Sequence, residues 1–197
     1  MFSHWLLTSS FYGTWLPGDR RGFVGRVRDL RHDDPPTTSR IEHDIPGTPY
    51  DEDMPGLQRA SAESMTGPPI HIELGHAELL LPQFRETAAY RRWELLAVAI
   101  MFNHVHLVVR APADIKPKKI LGDFKAYGSR PLTPRYGKPV SETWWTYGGS
   151  KRFLPDDRAL AAAIYYVLHK QYNPLLTWSP EQGLRLPPNE RGCVRAP

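Results

Sequence analysis

Cysteine is almost absent from this chain of 197 residues, since Cys193 is the only one and it lies close to the end of the sequence. A single cysteine excludes an internal disulfide framework and a cysteine-rich zinc site. Its place in the tail also argues against a catalytic thiol. We therefore expect a protein of the cytoplasm, where disulfides are rare.

Long hydrophobic runs are also lacking. No stretch approaches the roughly 18 apolar residues that a membrane helix needs. The first residues, MFSHWLLTSSFYG, lack the charged region and the cleavage site of a signal peptide. The expectation is a protein that is neither exported nor bound to a membrane.

The overall composition is that of an ordinary globular protein, with 41% hydrophobic and 23% charged residues. This length suits one folding unit, so we predict a single domain spanning residues 1–197. The formal net charge of +4 is mildly basic. Such a charge fits a polyanionic partner but is also common among proteins that never meet nucleic acid, so it selects no function by itself.

The first predicted element is a strand over residues 4–16, which are rich in β-branched and aromatic side chains and stop at Pro17-Gly18-Asp19. Residues 18–69 are crowded with Arg, Asp, Pro, Gly and Ser and show almost no hydrophobic periodicity. We interpret them as one long irregular insertion. Residues 179–197 carry several prolines and polar residues and are predicted to be a loose C-terminal tail.

The segments between the insertion and the tail alternate between strand-like and helix-like patterns. They predict a short strand at 69–74, a helix within 75–93, with a start near Pro82 as the alternative, and a hairpin over 94–110 that turns at Phe102-Asn103. A basic helix over 116–132 ended by Pro131, an aromatic strand over 143–154 with a glycine break, and a final helix over 155–172 opened by Pro155 follow. This order predicts an α+β fold, with a ferredoxin-like antiparallel sheet and helices on one face.

His104 and His106 lie two residues apart in a predicted strand. Their side chains therefore project from the same face, whereas Val105 and Leu107 point the other way. Imidazole is a common metal ligand, and such a pair needs only a third donor from another element to hold a divalent ion. The alternative is that two histidines simply decorate a half-exposed strand, and for an isolated His-x-His that is the more frequent case.

Five blocks of the chain, in order, carry a family resemblance: TSSFYGTWLPGDRRGFV, MFNHVHLVV, GDFKAYGSRPL, WWTYGGSKRFL and AAAIYYVLHKQ. With them the chain resembles the REP-associated tyrosine transposases and the related single-tyrosine transposases of small insertion sequences, which have the HUH nuclease fold. The opening block and the histidine motif are the specific ones. One departure is Phe102, where such proteins usually have proline.

The resemblance implies an enzyme that cuts and rejoins single-stranded or hairpin DNA through a covalent 5′-phosphotyrosine link. It implies that His104 and His106 bind Mg²⁺ or Mn²⁺. Relatives differ in assembly, so either a monomer or a homodimer is expected.

A tyrosine on the final helix would be the nucleophile, and two neighbours compete for that role. The family's Tyr-Val pair aligns best with Tyr166 and Val167, and Gln171 would then be the third metal ligand. Relatives carry that ligand four residues after the tyrosine, where this chain has Lys170. The other pairing is Tyr165 with His169, which has one-turn helical spacing. We favour Tyr166 with Gln171.

The basic helix is the predicted DNA-binding element, because cations neutralise phosphates and aromatic faces stack unpaired bases. A solvated charged face is the alternative for such a run. The predicted contacts are Lys116, Lys118, Lys119, Lys125, Tyr127 and Arg130.

Two other functions compete with a DNA nuclease. A non-catalytic nucleic-acid-binding module would use the sheet and the basic helix but not the histidines. A zinc-dependent hydrolase of small molecules would use His104, His106 and His169 to hold zinc around an activated water, with no tyrosine nucleophile.

Overall fold

The computed structural model describes residues 1–19, 27–29, 36, 41–43 and 54–187. The predicted tail beyond residue 187, with Cys193, and much of the predicted insertion lie outside the described residues. The described elements are β1 (Phe2–Ser10), β2 (Val27–Asp29), β3 (Ile41–His43), α1 (Pro55–Glu63), α2 (Leu74–Arg91), β4 (Glu94–Ile100), β5 (His104–Pro112), α3 (Pro117–Tyr136), β6 (Ser150–Leu154), α4 (Asp157–His169), β7 (Leu176–Ser179) and β8 (Gly183–Arg185).

Six strands form one sheet in the order β6-β1-β5-β4-β7-β8, and every neighbouring pair is antiparallel. The succession β1-α2-β4-β5-α3-β6, with its strands in the order β6-β1-β5-β4, is the ferredoxin-like arrangement. The predicted α+β fold with an antiparallel sheet is confirmed. Two later strands, β7 and β8, extend the sheet beyond β4, and β2 and β3 form a separate pair.

Helices cover both faces of this sheet, where the sequence had predicted one. Leu107 and Val109 of β5 join the core beneath α2 and α3, and we call this the helix-pair face. Val108 points the opposite way and packs in a second cluster with Ala163 and Val167 of α4, and we call this the α4 face. The final helix has an apolar stripe of its own, which can be buried only on the side that α2 and α3 leave open.

The β4–β5 hairpin turns at the predicted residues, Phe102 and Asn103, with the Met101 N–H donating to the His104 carbonyl at 2.8 Å. We expected asparagine here because it tolerates turn geometry. Yet Asn103 is not among the described non-glycine residues with positive φ. Its side chain, which is buried, serves a different purpose described below.

Helix α2 starts at Leu74 and runs through Pro82. Its N-cap residue, Glu73, forms a capping box with His76 in the first turn. Against it packs α3, at Gly128. A Cβ there would lie 3.0 Å from a ring carbon of Phe84 and 3.2 Å from Leu80, so a larger residue would require these side chains to shift.

The prediction that Pro131 ends α3 is wrong, because the helix continues to Tyr136. The indole N–H groups of Trp144 and Trp145 donate to Thr133 at 3.1 Å and to Ser129 at 3.0 Å. Tertiary contacts from the following loop thus stabilise the last turns of α3 against the cost of a proline.

The predicted aromatic strand begins later than expected, at Ser150, after Gly148 and Gly149. Before the glycines, Trp145 makes one isolated bridge to Phe11 and stacks on its ring at 4.6 Å. The two tryptophans anchor a loop to the core, so their β-prone character reflects burial and not strand pairing.

The short strand predicted at residues 69–74 is absent. This segment instead makes two separate hydrogen bonds, from the Ile70 N–H to the Tyr12 carbonyl and from the Ile72 N–H to the Phe102 carbonyl, both at 2.8 Å. Its apolar residues fill a gap beside the core, which explains why it resembles a strand in sequence.

The described part of residues 18–69 is not wholly irregular, because it contains β2, β3 and α1. Gly18 has φ of +82°, and a Cβ there would lie 2.4 Å from the Met54 carbonyl oxygen. This glycine lets the turn that contains it pack closely against the backbone at the start of α1. The predicted tail is also partly ordered, since Gly183–Arg185 pair with β7.

Candidate functional site

The two histidines of β5 lie on the α4 face, near the end of the sheet where β4 turns into β5. His106 is buried and His104 is partly exposed. Their rings meet edge to face, with the Nε2 atoms 3.1 Å apart. The predicted same-side projection of the pair therefore holds, and Val105 and Leu107 enter the opposite core.

The far nitrogen of each ring contacts a polar side chain. The Nδ1 atom of His104 lies 2.6 Å from the Asn103 Oδ1 atom, and since that oxygen can only accept, the His104 Nδ1 carries the proton. The His106 Nδ1 atom lies 2.7 Å from the hydroxyl of Thr8, its direct partner in β1. Both Nδ1 atoms are thus engaged by polar groups, and the two Nε2 atoms face each other.

Burial, followed by the neighbouring His104, lowers the pKa of His106 to about 3, and a hydrogen bond with Gln171 acts in the opposite direction. His106 is therefore neutral at physiological pH. A neutral imidazole is the form that binds metal ions.

These residues fit a divalent cation by their chemistry. Two imidazole nitrogens 3.1 Å apart can both contact one ion, because typical metal–nitrogen bonds are about 2.1 Å long. Each ring is oriented from behind by a hydrogen bond, as is usual for metal-binding histidines. Nitrogen ligands suit a transition metal such as Mn²⁺ better than Mg²⁺, which prefers oxygen.

Tyr166 and Gln171 both lie beside His106. The Tyr166 ring is 5.5 Å from the His106 ring and approaches it edge to face. Gln171 donates from its Nε2 to the Tyr166 carbonyl at 3.0 Å. Its side chain also forms a hydrogen bond with His106 that raises the pKa of that imidazole, which is the direction expected when the carbonyl oxygen of the amide accepts from the ring. An oxygen donor thus joins the two imidazoles.

Tyr165 and His169 lie against each other instead, with ring centroids 5.0 Å apart. The Lys170 ammonium lies 5.6 Å from the centre of the Tyr165 ring. Over the described ranges, no three residues among His, Cys, Asp and Glu are grouped to hold a metal, so His169 does not join His104 and His106. Tyr166 and Gln171 therefore lie beside His106, whereas Tyr165 and His169 lie against each other.

The six residues predicted to contact DNA belong to α3 or to its N-cap, on the helix-pair face of the sheet. Lys119 forms an ion pair with Asp123 at 3.0 Å. Tyr127 is covered by the guanidinium of Arg130 at 4.1 Å and receives a hydrogen bond from Arg91. Lys116 and Lys118 are exposed.

Lys125 differs from the other basic residues of α3 because its ammonium is largely buried. It donates to the carbonyl groups of Thr146 and Gly148. Burial and, second to it, the nearby Lys151 lower its pKa to about 8. The adjoining Gly149 packs against Thr8, since a Cβ there would lie 2.6 Å from the Thr8 carbonyl oxygen. Lys125 thus lies close to the strand that supports His106.

Sequence reasoning missed Thr8 and Asn103 as parts of the site. Asn103 could have been found, because it directly precedes the histidine motif and carries an acceptor. Thr8 lies 98 residues from His106 along the chain, so only the register between β1 and β5 reveals their contact.

Residues 72–149 match the protein-family model described as "Transposase IS200 like". This match confirms the resemblance that the motifs predicted, over a segment that contains both histidines and α3 but not α4. No curated protein matches this chain.

Among solved structures, the chain is similar to a REP-associated tyrosine transposase bound to a REP hairpin, at 9% sequence identity and a TM-score of 0.45. That alignment covers 85% of this chain and 66% of the other one. In the described part of this chain, no helix combines the length and apolar character needed to cross a membrane.

Proposed function

We propose that this chain, which resembles IS200-like transposases over residues 72–149, is a metal-dependent nuclease that cuts and rejoins single-stranded DNA through a covalent 5′-phosphotyrosine link. The observation that carries the proposal is the convergence of two imidazoles, one amide oxygen and one tyrosine ring at a single place on the sheet. The family match ends before α4, so it does not extend to Tyr166 and Gln171, and their positions beside His106 are what supports their proposed roles.

In this proposal His104, His106 and Gln171 hold the divalent ion, and Tyr166 is the nucleophile. When bound, the ion would supply positive charge that draws a scissile phosphate to this place and eases attack on it. The Tyr166 side chain is partly exposed at 42%, so its phenol is accessible to a DNA strand.

The reaction balances without an external energy source. The phenol oxygen of Tyr166 forms a bond to phosphorus while the bond between phosphorus and the 3′ oxygen of the preceding nucleotide breaks. The phenol proton is lost and the departing oxygen gains one, which leaves a free 3′-hydroxyl. The phosphotyrosine ester conserves the energy of the broken bond, so attack by a 3′-hydroxyl reverses the step and rejoins DNA.

For DNA contact we propose the basic residues of α3 near the β6 edge. Lys118 is exposed and close enough to Lys151 to lower the pKa of that amine, so these cations form a common positive surface. Phosphates of a bound strand would relieve their mutual repulsion. Lys116, Lys119, Lys125, Tyr127 and Arg130 remain predicted contacts in this surface.

The test uses the two adjacent tyrosines as variant and control. With manganese and a single-stranded hairpin oligonucleotide, wild type should give a covalent protein–DNA band on a denaturing gel. Tyr166→Phe should abolish the band while DNA and metal binding persist, because only the nucleophilic oxygen is removed.

Tyr165→Phe should keep most of the band, since successive helical side chains diverge by about 100° and Tyr165 lies against His169. The opposite pattern would move the nucleophile to Tyr165. A band that survives in the double variant would overturn the phosphotyrosine mechanism.

A further inference from the structure

The hairpin turn before the histidine pair carries an aromatic surface that the proposed chemistry does not use. Phe102 is half exposed at 50%, and its ring stacks on that of His71 with centroids 5.5 Å apart and an interplanar angle of 18°. A phenylalanine at the tip of a hairpin has no polar group to satisfy in water. Its exposed ring is therefore available to another flat ring.

Both rings of this aromatic pair are held in place by their backbones. The Ile72 N–H donates to the Phe102 carbonyl and the Ile70 N–H donates to the Tyr12 carbonyl, both at 2.8 Å. The buried Ile72 anchors the segment to the core, so the exposed His71 beside it faces outward. A ligand that stacks here therefore has little backbone to order, which limits the entropy lost on binding.

The aromatic pair is joined to the candidate site by one residue. Asn103 follows Phe102, and its side chain contacts the His104 imidazole at 2.6 Å. The Asn103 carbonyl accepts hydrogen bonds from the Phe11 N–H and the Thr14 hydroxyl, both at 2.9 Å. These hydrogen bonds hold the turn in place next to His104.

Within the described part of the chain, the other two exposed phenylalanines lack this arrangement. Phe2 lies beneath the Arg110 guanidinium at 4.1 Å, and Phe153 meets Trp5 at a tilt of 58°. Phe102 alone among them extends a nearly parallel stack.

We propose that Phe102 and His71 form a stacking platform for an unpaired DNA base next to the scissile phosphate. The inference rests on the proposed function, because that function brings a single strand to His104. Stacking on aromatic side chains tolerates any base and contributes about 1–3 kcal/mol per base. Phe102 would thereby help to position the phosphate without touching the reacting atoms.

The test compares two probes, a labelled oligothymidylate and a strand of equal length whose sugars carry no bases, with affinity measured by anisotropy in the presence of a chelator. Phe102→Ala should weaken oligothymidylate binding at least five-fold, which corresponds to about 1 kcal/mol. It should leave binding of the abasic strand unchanged. Phe102→Leu should lose as much as alanine, whereas Phe102→Trp should bind at least as well as wild type.

The control is Tyr90→Ala, which removes an exposed aromatic ring at the C-terminal end of α2, far from the hairpin turn. It should not affect either probe. Equal losses on both probes for Phe102→Ala, or no loss on either, would overturn the platform. A change in oligomeric state with unchanged base-dependent affinity would overturn it in favour of a second copy of the chain.

Failure of the platform is distinguishable from failure of the nuclease. If wild type forms the covalent adduct but Phe102→Ala binds both probes normally, only the platform is wrong. If wild type forms no adduct while Phe102→Ala loses base-dependent affinity, the platform holds and the nuclease proposal fails.

Discussion

The two faces of the sheet are built from different kinds of residue. The helix-pair face is filled by large aromatic and aliphatic side chains, among them Phe84, Phe124 and Trp145, beneath two long helices. The α4 face has small residues, such as Ala97 and Ala99, beneath one shorter helix.

The polar groups of the candidate site lie on the side with the smaller core. His106, Thr8 and His104 share the α4 face with its modest apolar cluster. A large core stabilises the fold by burying apolar area, and this allows the opposite face to carry imidazoles that interrupt packing. The residues that contribute most of the buried apolar area and the residues of the proposed chemistry therefore lie on opposite faces of one sheet.

The largest expected effect is on the α4 face, from replacing both His104 and His106 with alanine. Metal-dependent cleavage should be abolished, because the imidazole donors are lost while the apolar side of β5 is unchanged. Circular dichroism should show a folded protein, and calorimetry should show no manganese binding at the site.

The matched control is His4→Ala, which removes a histidine from β1 at the opposite end of the same sheet. It should retain metal binding and cleavage. Cleavage by the double variant at the wild-type rate would exclude a histidine-held metal.

The next effect is on the helix-pair face, where Phe124→Ala should lower the free energy of unfolding by about 3–5 kcal/mol. Phe124 is fully buried between Phe84 and Trp93, with ring centroids 5.7 Å from each. Urea unfolding at constant m-value would measure the loss. Adduct formation per folded molecule should be unaffected.

Val167→Ala makes the corresponding change on the α4 face. Losing two buried carbon groups there should cost only roughly 1.5 kcal/mol. If Val167→Ala proved as costly as Phe124→Ala, the stated division of stability between the two faces would be wrong.

The mildest change to the candidate site is Thr8→Val, which removes one hydroxyl and keeps the shape of the side chain. The His106 Nδ1 would lose its partner at 2.7 Å, and loss of such an orienting bond typically costs about 10–100-fold in metal affinity or activity. Manganese titration would measure it.

Thr177→Val is the control, because Thr177 is buried two strands away from His106 in the same row across the sheet. It should leave manganese affinity at the wild-type value. Equal affinities for wild type and Thr8→Val would mean that the hydroxyl does not orient His106.

Local sequence was sufficient for the elements whose pattern agrees with their packing. The β4–β5 hairpin and α4 were predicted from continuous β-prone runs and from an acidic N-terminus, and both formed close to the expected bounds. Prediction from local sequence failed where contacts between distant residues outweighed a local pattern. Pro131 does not end α3 because Trp144 and Trp145 bind its last turns.

The candidate site, too, could be predicted only as far as it depends on neighbouring residues. The same-side projection of His104 and His106 follows from the two-residue period of a strand, and the family match confirms the resemblance that surrounds them. Their roles, with those of Tyr166, Gln171 and the residues of α3, stay predictions that the experiments above address.

By itself, the sequence determined the α+β class, the turn at Phe102-Asn103 and the common side of the two histidines, because each depends on residues that are neighbours in the chain. Only the tertiary structure decided that α4 covers the face opposite α2 and α3, that Thr8 supports His106, and that Tyr166 and not Tyr165 faces the histidine pair. These outcomes depend on strand register and helix rotation. Both are set by contacts between residues far apart in sequence, whose free energies no local pattern records.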